Sequence, residues 1–230
     1  SKNPIYFPKD KSCYIDNIPL EILALIFNYV IDFQELLTIS KVCKRWRQVL
    51  NKFCSPSFIS ENFSVNIRKR ISNSHIEAIT RQFPNLKEIS LYNCSNIYGQ
   101  GFQSIIKNCK KIEKLKIDVV GYCPDTFINN ISLLPSLKEL KIVKNIELWG
   151  SSNLPTFKLK KLEIIDNNKF FDNSVMILAQ KCHQLESLTI SKCYNFNLES
   201  QRIENNEISF DIENMKLFIK NNKNLRELYL

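Results

Sequence analysis

A hydrophobic spacing that returns six times constrains this chain more than any other feature. It reads Leu86-x-x-Ile89-x-Leu91, Ile112-x-x-Leu115-x-Ile117, Leu137-x-x-Leu140-x-Ile142, Leu159-x-x-Leu162-x-Ile164, Leu185-x-x-Leu188-x-Ile190 and Leu225-x-x-Leu228-x-Leu230. A weaker copy begins near Phe63-x-Val65. Successive starts lie 26, 25, 22, 26 and 40 residues apart, so the last interval holds an insertion. The alternating end of each copy has the period of a strand, sending apolar residues inward and variable ones outward. Helical spacings fall between the strands: Ile76/Ile79/Phe83, Phe102/Ile105/Ile106, Phe127/Ile131/Leu134 and Val175/Leu178/Cys182. Leu148–Pro155 reads as a loop that replaces one such helix. A unit of one strand and one helix cannot bury its own apolar face, and it stacks on its neighbours.

These periods fit the leucine-rich repeat. The cysteines add a second regularity. Cys109 and Cys182 each stand three residues before a copy's first apolar position, and Cys94 and Cys193 each follow a strand. The segment resembles the cysteine-containing repeat subclass common in F-box proteins, with Val120 and Asn145 where that subclass would place another cysteine. Parallel strands would align Ser90, Lys116, Lys141, Glu163, Thr189 and Tyr229 in one outward column. Asn195–Asn214, rich in Asn, Glu and Ser, reads as a flexible loop.

A different pattern precedes the repeats. In the helix that begins near Ile18, Ile22, Leu25 and Tyr29 share one side with Ile18, while Leu20, Phe27 and Ile31 point the other way. Only Glu21, Ala24 and Asn28 form a narrow polar stripe. Such a helix needs cover on nearly every side, and two short helices supply only part of it. Pro19 suits the first helical turn, and Glu21 complements its positive end. Asp32 with Glu35 reads as a capping-box variant opening a second helix. Ser40 is placed to cap a third, whose apolar face is Val42, Trp46, Val49 and Leu50.

Ile18-Pro19-x-Glu21-Ile22-Leu23, Ile26-Phe27-x-Tyr29, Leu36-Leu37 and Val42-Cys43-Lys44-x-Trp46-Arg47 stand in an order and spacing that resembles the F-box. The one departure is Ile18, where that family usually has Leu. F-box proteins are substrate-recognition subunits of SCF (Skp–cullin–F-box) ubiquitin ligases. The resemblance implies that Pro19, Ile22, Leu23, Phe27, Leu36, Val42 and Trp46 bury a surface against a Skp-type adaptor, or support it.

Composition narrows the alternatives. The hydrophobic fraction is 44% and the charged fraction 24%, as in folded domains. The longest apolar run, Leu20–Ile31, is too short to span a bilayer and is broken by Glu21 and Asn28. Eight cysteines include no CxxC pair and no zinc-type spacing with His75 or His183, so they read as buried thiols of a reducing compartment. No catalytic constellation appears, and four glycines form no phosphate-binding pattern, so neither an enzyme nor a cofactor is expected. The sequons at Asn62, Asn93 and Asn130 are chance matches in an Asn-rich chain. The net charge of +9 raises the question of nucleic acid. Its distribution answers against it, since Lys and Glu alternate between neighbouring strands at the outward positions. The exception is Lys116 beside Lys141, with Lys114 nearby, a basic site suited to an acidic or phosphorylated segment.

The sequence therefore predicts an α/β chain. A lead-in (1–14) precedes a three-helix F-box (15–55) and a leucine-rich-repeat solenoid (56–230) with a curved parallel sheet and helices on the convex face. Cys54–Ser60 is expected to make a firm junction. Because Leu225–Leu230 ends inside a strand with no cap, further repeats are expected beyond it. The expected function is a non-catalytic adaptor that docks on a Skp-type protein, and through it on cullin, in cytoplasm or nucleus. Substrate protein would be held by Lys114, Lys116 and Lys141. The rival is a repeat scaffold or nucleic-acid-associated binder working outside ubiquitin transfer.

Overall fold

In the computed structural model the chain divides into two compact units, Ser1–Cys54 and Ser55–Leu230. The residues described are 14–30, 32–118, 130–144, 156–166, 177–178, 180–193, 196–197, 202–203 and 212–230. The expected lead-in before Tyr14, the loop Leu148–Pro155, and Val120, Phe127, Asn145 and Val175 lie outside them.

In the first unit a 3-10 turn, Tyr14–Asn17, leads into α1 (Leu20–Asn28), α2 (Phe33–Val42) and α3 (Lys44–Phe53). Pro19, with no N–H to lose, is the N-cap of α1. Asp32 caps α2, its carboxylate accepting from the Gln34 amide at 2.7 Å. Ser40 does not cap α3. It is buried in the last turn of α2, where its hydroxyl donates to the Leu37 carbonyl at 2.7 Å. Only Cys43 separates α2 from α3, so Cys43 is the cap; it is extended, and its sulfur accepts from the Trp46 amide at 3.4 Å. The core takes Leu23, Ala24 and Phe27 from α1, Phe33 and Leu36 from α2, and Val49 and Leu50 from α3. Ala24, expected on a polar stripe, is buried, and Cys54 Sγ donates to its carbonyl at 3.8 Å. The Arg45 guanidinium ties the entry segment to α3 by donating to the carbonyls of Ile15 (3.1 Å) and Ile18.

The second unit is built on a seven-stranded parallel sheet whose spatial order follows the chain. It comprises β1 (Ser57–Ile59), β2 (Glu88–Tyr92), β3 (Lys114–Asp118), β4 (Glu139–Val143), β5 (Lys161–Ile165) and β6 (Ser187–Ser191), and then β9 (Glu227–Tyr229). The first strand is not the one expected near Phe63. Phe63 instead ends a 3-10 turn, Ser60–Asn62, and Val65–Arg68 is helical (α4). Phe58 is the inward residue of β1, aligned with Ile89. Pro56 precedes it at an edge, where its missing N–H costs no ladder bond.

One backbone device recurs just before β2, β3, β4, β5 and β6. The carbonyl of Lys87 accepts from both Glu113 and Lys114 amides, and that of Glu113 from Lys138 and Glu139. Lys138 does the same for Lys160 and Lys161, Lys160 for Glu186 and Ser187, and Glu186 for Arg226 and Glu227. Four strand ends also repeat one feature. Asn93, Lys144, Asp166 and Lys192 directly follow a strand with φ of 53–64°, a left-handed turn that Asn and Asp tolerate best.

The segments between strands supply α5 (Asn73–Gln82) and α6 (Gly99–Asn108), whose Ile76, Phe102 and Ile105 are buried. A further helix, Ile212–Asn221, precedes β9. The stretch expected to be a flexible loop holds paired structure where it is described. Phe196–Asn197 (β7) is antiparallel to Arg202–Ile203 (β8), and the helix begins at Ile212.

The position three residues before a copy is buried in five of the six, among them Cys109, Cys182 and, in the last copy, Asn222; before the Leu159 copy it is the exposed Thr156. Asn222 Oδ1 accepts from the Leu185 amide of the preceding copy at 3.0 Å. Burial pushes the thiol of Cys54 up to about 11 and those of Cys109 and Cys182 up to about 12, so all three stay protonated at neutral pH. We expect these three to resist iodoacetamide in the native protein and to react once urea unfolds it. Among the described cysteines Cys43, which is part-exposed, should label first, and peptide mapping over time reads the order. Labelling of Cys109 or Cys182 at the rate of Cys43 would contradict this packing.

Candidate functional site

Each unit presents one surface that its own core does not explain. On α1, Ile22, Leu25, Ile26 and Tyr29 recur at helical spacing and face solvent, Leu25 58% and Tyr29 85% exposed. Val42 at the end of α2 and Phe53 at the end of α3 are exposed as well. The seven residues expected to meet or support an adaptor fall into two groups. Pro19, Ile22 and Val42 lie outside. Leu23, Phe27 and Leu36 lie in the core, and Trp46 is half-buried with its ring 5.2 Å from that of Phe27. The second group can act only by holding α1 in place. Leu25 and Tyr29 were visible in the helical stripe, and Tyr29 in the motif as well, but neither was among the seven residues expected at the adaptor.

The open face of the sheet is the second surface. The register aligns Ser90, Lys116, Lys141, Glu163, Thr189 and Tyr229 in a single column, as the repeat spacing predicts. Lys116 and Lys141 are neighbours, yet neither presents an unpaired charge. Lys116 Nζ lies 2.6 Å from Glu61 Oε1, Lys141 Nζ 2.6 Å from Glu163 Oε2, and Lys114 Nζ 3.0 Å from Glu139 Oε1. Lys161 reaches the other oxygen of Glu163 at 2.9 Å. One row outward, Lys87, Glu113 and Lys138 form a chain of pairs, and Lys160 meets Glu186 at 2.6 Å. The face is a mosaic of paired charges, as the alternating signs predict, and the basic site is folded into it. Glu61, whose 3-10 turn follows β1, lies 55 residues from Lys116 in sequence, so no spacing rule could have joined them.

Burial alone would raise the carboxyls of Glu61 and Glu163. Hydrogen bonds from Lys116 and Ser90 to the first, and from Lys141 and Lys161 to the second, outweigh it and hold both below the usual value of 4.5. Asp118 moves the opposite way, raised chiefly by burial. A carboxyl lowered by folding stabilises fully above its unfolded pKa, and that stabilisation is lost as pH falls through the folded value. We therefore expect the urea midpoint to hold from pH 7 down to about 5 and then to fall toward pH 3. Glu163→Gln should flatten part of that fall. An acid limb unchanged by the substitution would show that Glu163 does not contribute to it.

Among the described residues no group of His, Cys, Asp and Glu could hold a metal ion, and no helix is long and apolar enough to cross a membrane.

The signature of the F-box-like family matches residues 15–54, the helical unit just described. A chain in the crystal structure of the yeast Rad7 and Elc1 complex shares the fold, with a TM-score of 0.52 at 18% identity. The match covers 92% of this chain and 54% of that one. The chain thus carries an F-box-like domain at residues 15–54, followed by a repeat-like solenoid of parallel strands and helices.

Proposed function

We propose that this chain is the substrate-recognition adaptor of an SCF-type ubiquitin ligase. The observation that carries the reading is the apolar stripe Ile22, Leu25, Ile26 and Tyr29, left open on the first helix of an F-box-like domain. A folded unit this small gains nothing by exposing four large apolar side chains in one stripe unless a partner covers them. A Skp-type adaptor is the partner in this reading, with cullin reached through it. The Rad7 chain, found in a complex with Elc1, supports the idea of a fold that works beside a second protein.

The solenoid, in this reading, is of the leucine-rich-repeat type, and its open face takes the substrate protein. Lys114, Lys116 and Lys141 would meet acidic or phosphorylated groups by exchanging their present partners. The chain then contributes proximity and orientation, and the ubiquitin chemistry belongs to other subunits.

Affinity purification of the tagged chain tests this. Co-purification of a Skp-type adaptor together with cullin is expected. Recovery of the adaptor without cullin would favour a scaffold outside ubiquitin transfer, and nucleic acid in place of both would overturn the reading.

A further inference from the structure

Glu61 does something no other carboxylate described on the open face does. The pairs Lys114–Glu139 and Lys141–Glu163 join adjacent strands and follow from the register. Glu61 belongs to no strand. It comes from the 3-10 turn after β1 and reaches past β2 to β3. Its Oε1 accepts from Ser90 Oγ at 2.7 Å and from Lys116 Nζ at 2.6 Å. The turn is also held by Ser60, whose Oγ accepts from the Tyr92 amide at 2.6 Å and donates to Glu61 Oε2 at 3.2 Å. Withdrawing the Glu61 carboxylate therefore breaks no ladder bond.

The surroundings are those of an anion site. Two cations lie over the Tyr92 ring, Lys116 Nζ 5.8 Å and the Arg68 guanidinium 4.9 Å from its centroid. Arg68 makes no ion pair among the described residues, and its Nε is buried without a hydrogen-bond partner. One cation is thus satisfied by Glu61, while the other is held by an aromatic face alone.

We propose that Ser90, Lys116 and Arg68 around Tyr92 form a docking site for an acidic side chain of a bound peptide, and that Glu61 is the chain's own occupant of it. The proposal rests on the reading that the open face takes a protein ligand, and it adds which group the ligand presents. A single carboxylate oxygen shared by a hydroxyl and an ammonium is the contact that an Asp or Glu of the ligand would reproduce. Because Glu61 is tethered, it competes at a high effective concentration, and a ligand wins only when neighbouring contacts add to its one carboxylate. The site thereby rejects isolated acids and accepts acidic residues set in a longer segment.

The test measures binding of a fluorescein-labelled peptide of alternating Glu and Gly to the whole chain, beside its Gln/Gly counterpart and a single-stranded oligonucleotide. Glu61→Gln and Glu61→Ala are expected to tighten binding of the acidic peptide about fivefold, the scale of one part-exposed ion pair. The Gln/Gly peptide should not respond, and adding Lys116→Met to Glu61→Gln should erase the gain. Thermal unfolding confirms that each variant is folded. The proposal is overturned if no variant binds the acidic peptide more tightly, if the gain survives Lys116→Met, or if the oligonucleotide gains equally. The last outcome would reveal only a general increase in positive charge. Recovery of the Skp-type adaptor is a separate readout on the other unit, so failure of the adaptor reading and failure of this site are told apart.

Discussion

Leu25→Glu combined with Tyr29→Glu is expected to abolish capture of the Skp-type adaptor and leave the N-terminal unit folded. Both side chains stand on the solvent side of α1, so neither is part of the core that Leu23, Phe27, Leu36 and Leu50 make. Central apolar and aromatic anchors contribute about 2 kcal/mol or more each to an interface, and a buried unpaired carboxylate adds a further cost. A loss of at least about 100-fold in affinity follows. Leu23→Ala makes the opposite case. Leu23 is fully buried, so its truncation should cost about 2–5 kcal/mol of folding stability and weaken docking only through the fold. Calorimetric titration with the adaptor, run beside circular-dichroism melts, separates the two. If the double variant melts normally and binds normally, the exposed stripe of α1 is not the docking surface.

Phe102→Ala is expected to be the most damaging single truncation in the solenoid, at about 3–5 kcal/mol. Phe102 is fully buried in α6, which packs closely on α5. The approach is set by Asn73, whose Oδ1 accepts from the amides of Tyr98 (2.8 Å) and Gly101 (3.2 Å) at the start of α6. A Cβ on Gly101 would stand 2.7 Å from that same oxygen, so the helices leave no slack to close a cavity. Because stacked copies depend on their neighbours, the loss should spread outward from β2 and β3. Hydrogen exchange should rise first in those two strands, and urea unfolding should begin earlier and run broader. A sharp transition at the unaltered midpoint would show that the site collapses without cost.

Most of the parallel sheet was legible because its signal is local and repeated. All six spaced copies keep Leu or Ile at the three spaced positions, and the alternation fixes which side chains face in. The first strand was misplaced because Phe58-Ile59 is too short to show a period, whereas Phe63-x-Val65 imitates one. The helix caps divided by the same logic. Asp32 lies four residues beyond the end of α1 and directly before α2, but Ser40 lost its role to Cys43 when a single-residue hinge decided where α3 begins. On α1 the helical period alone placed Ile22, Leu25 and Tyr29 together, and only packing revealed that Leu23 and Phe27 belong to the inside. The lysine column was also readable, but its chemistry was not. Whether Lys116 is an available charge depends on Glu61, and that pairing is created by the turn after β1 rather than by any spacing.

The doubly accepting carbonyls just before β2 to β6 have a consequence for how such a chain tolerates change. Each one fixes where the next strand starts, whatever length of chain lies between, so intervals of 22, 26 and 40 residues all return to the same phase. Residues can be added or lost on the far side of a copy without disturbing the column of side chains on the open face. A one-residue deletion inside Lys114–Asp118 has no such freedom, because it would turn Leu115 and Ile117 outward and bring lysine into the core. Length is negotiable in this solenoid and parity is not.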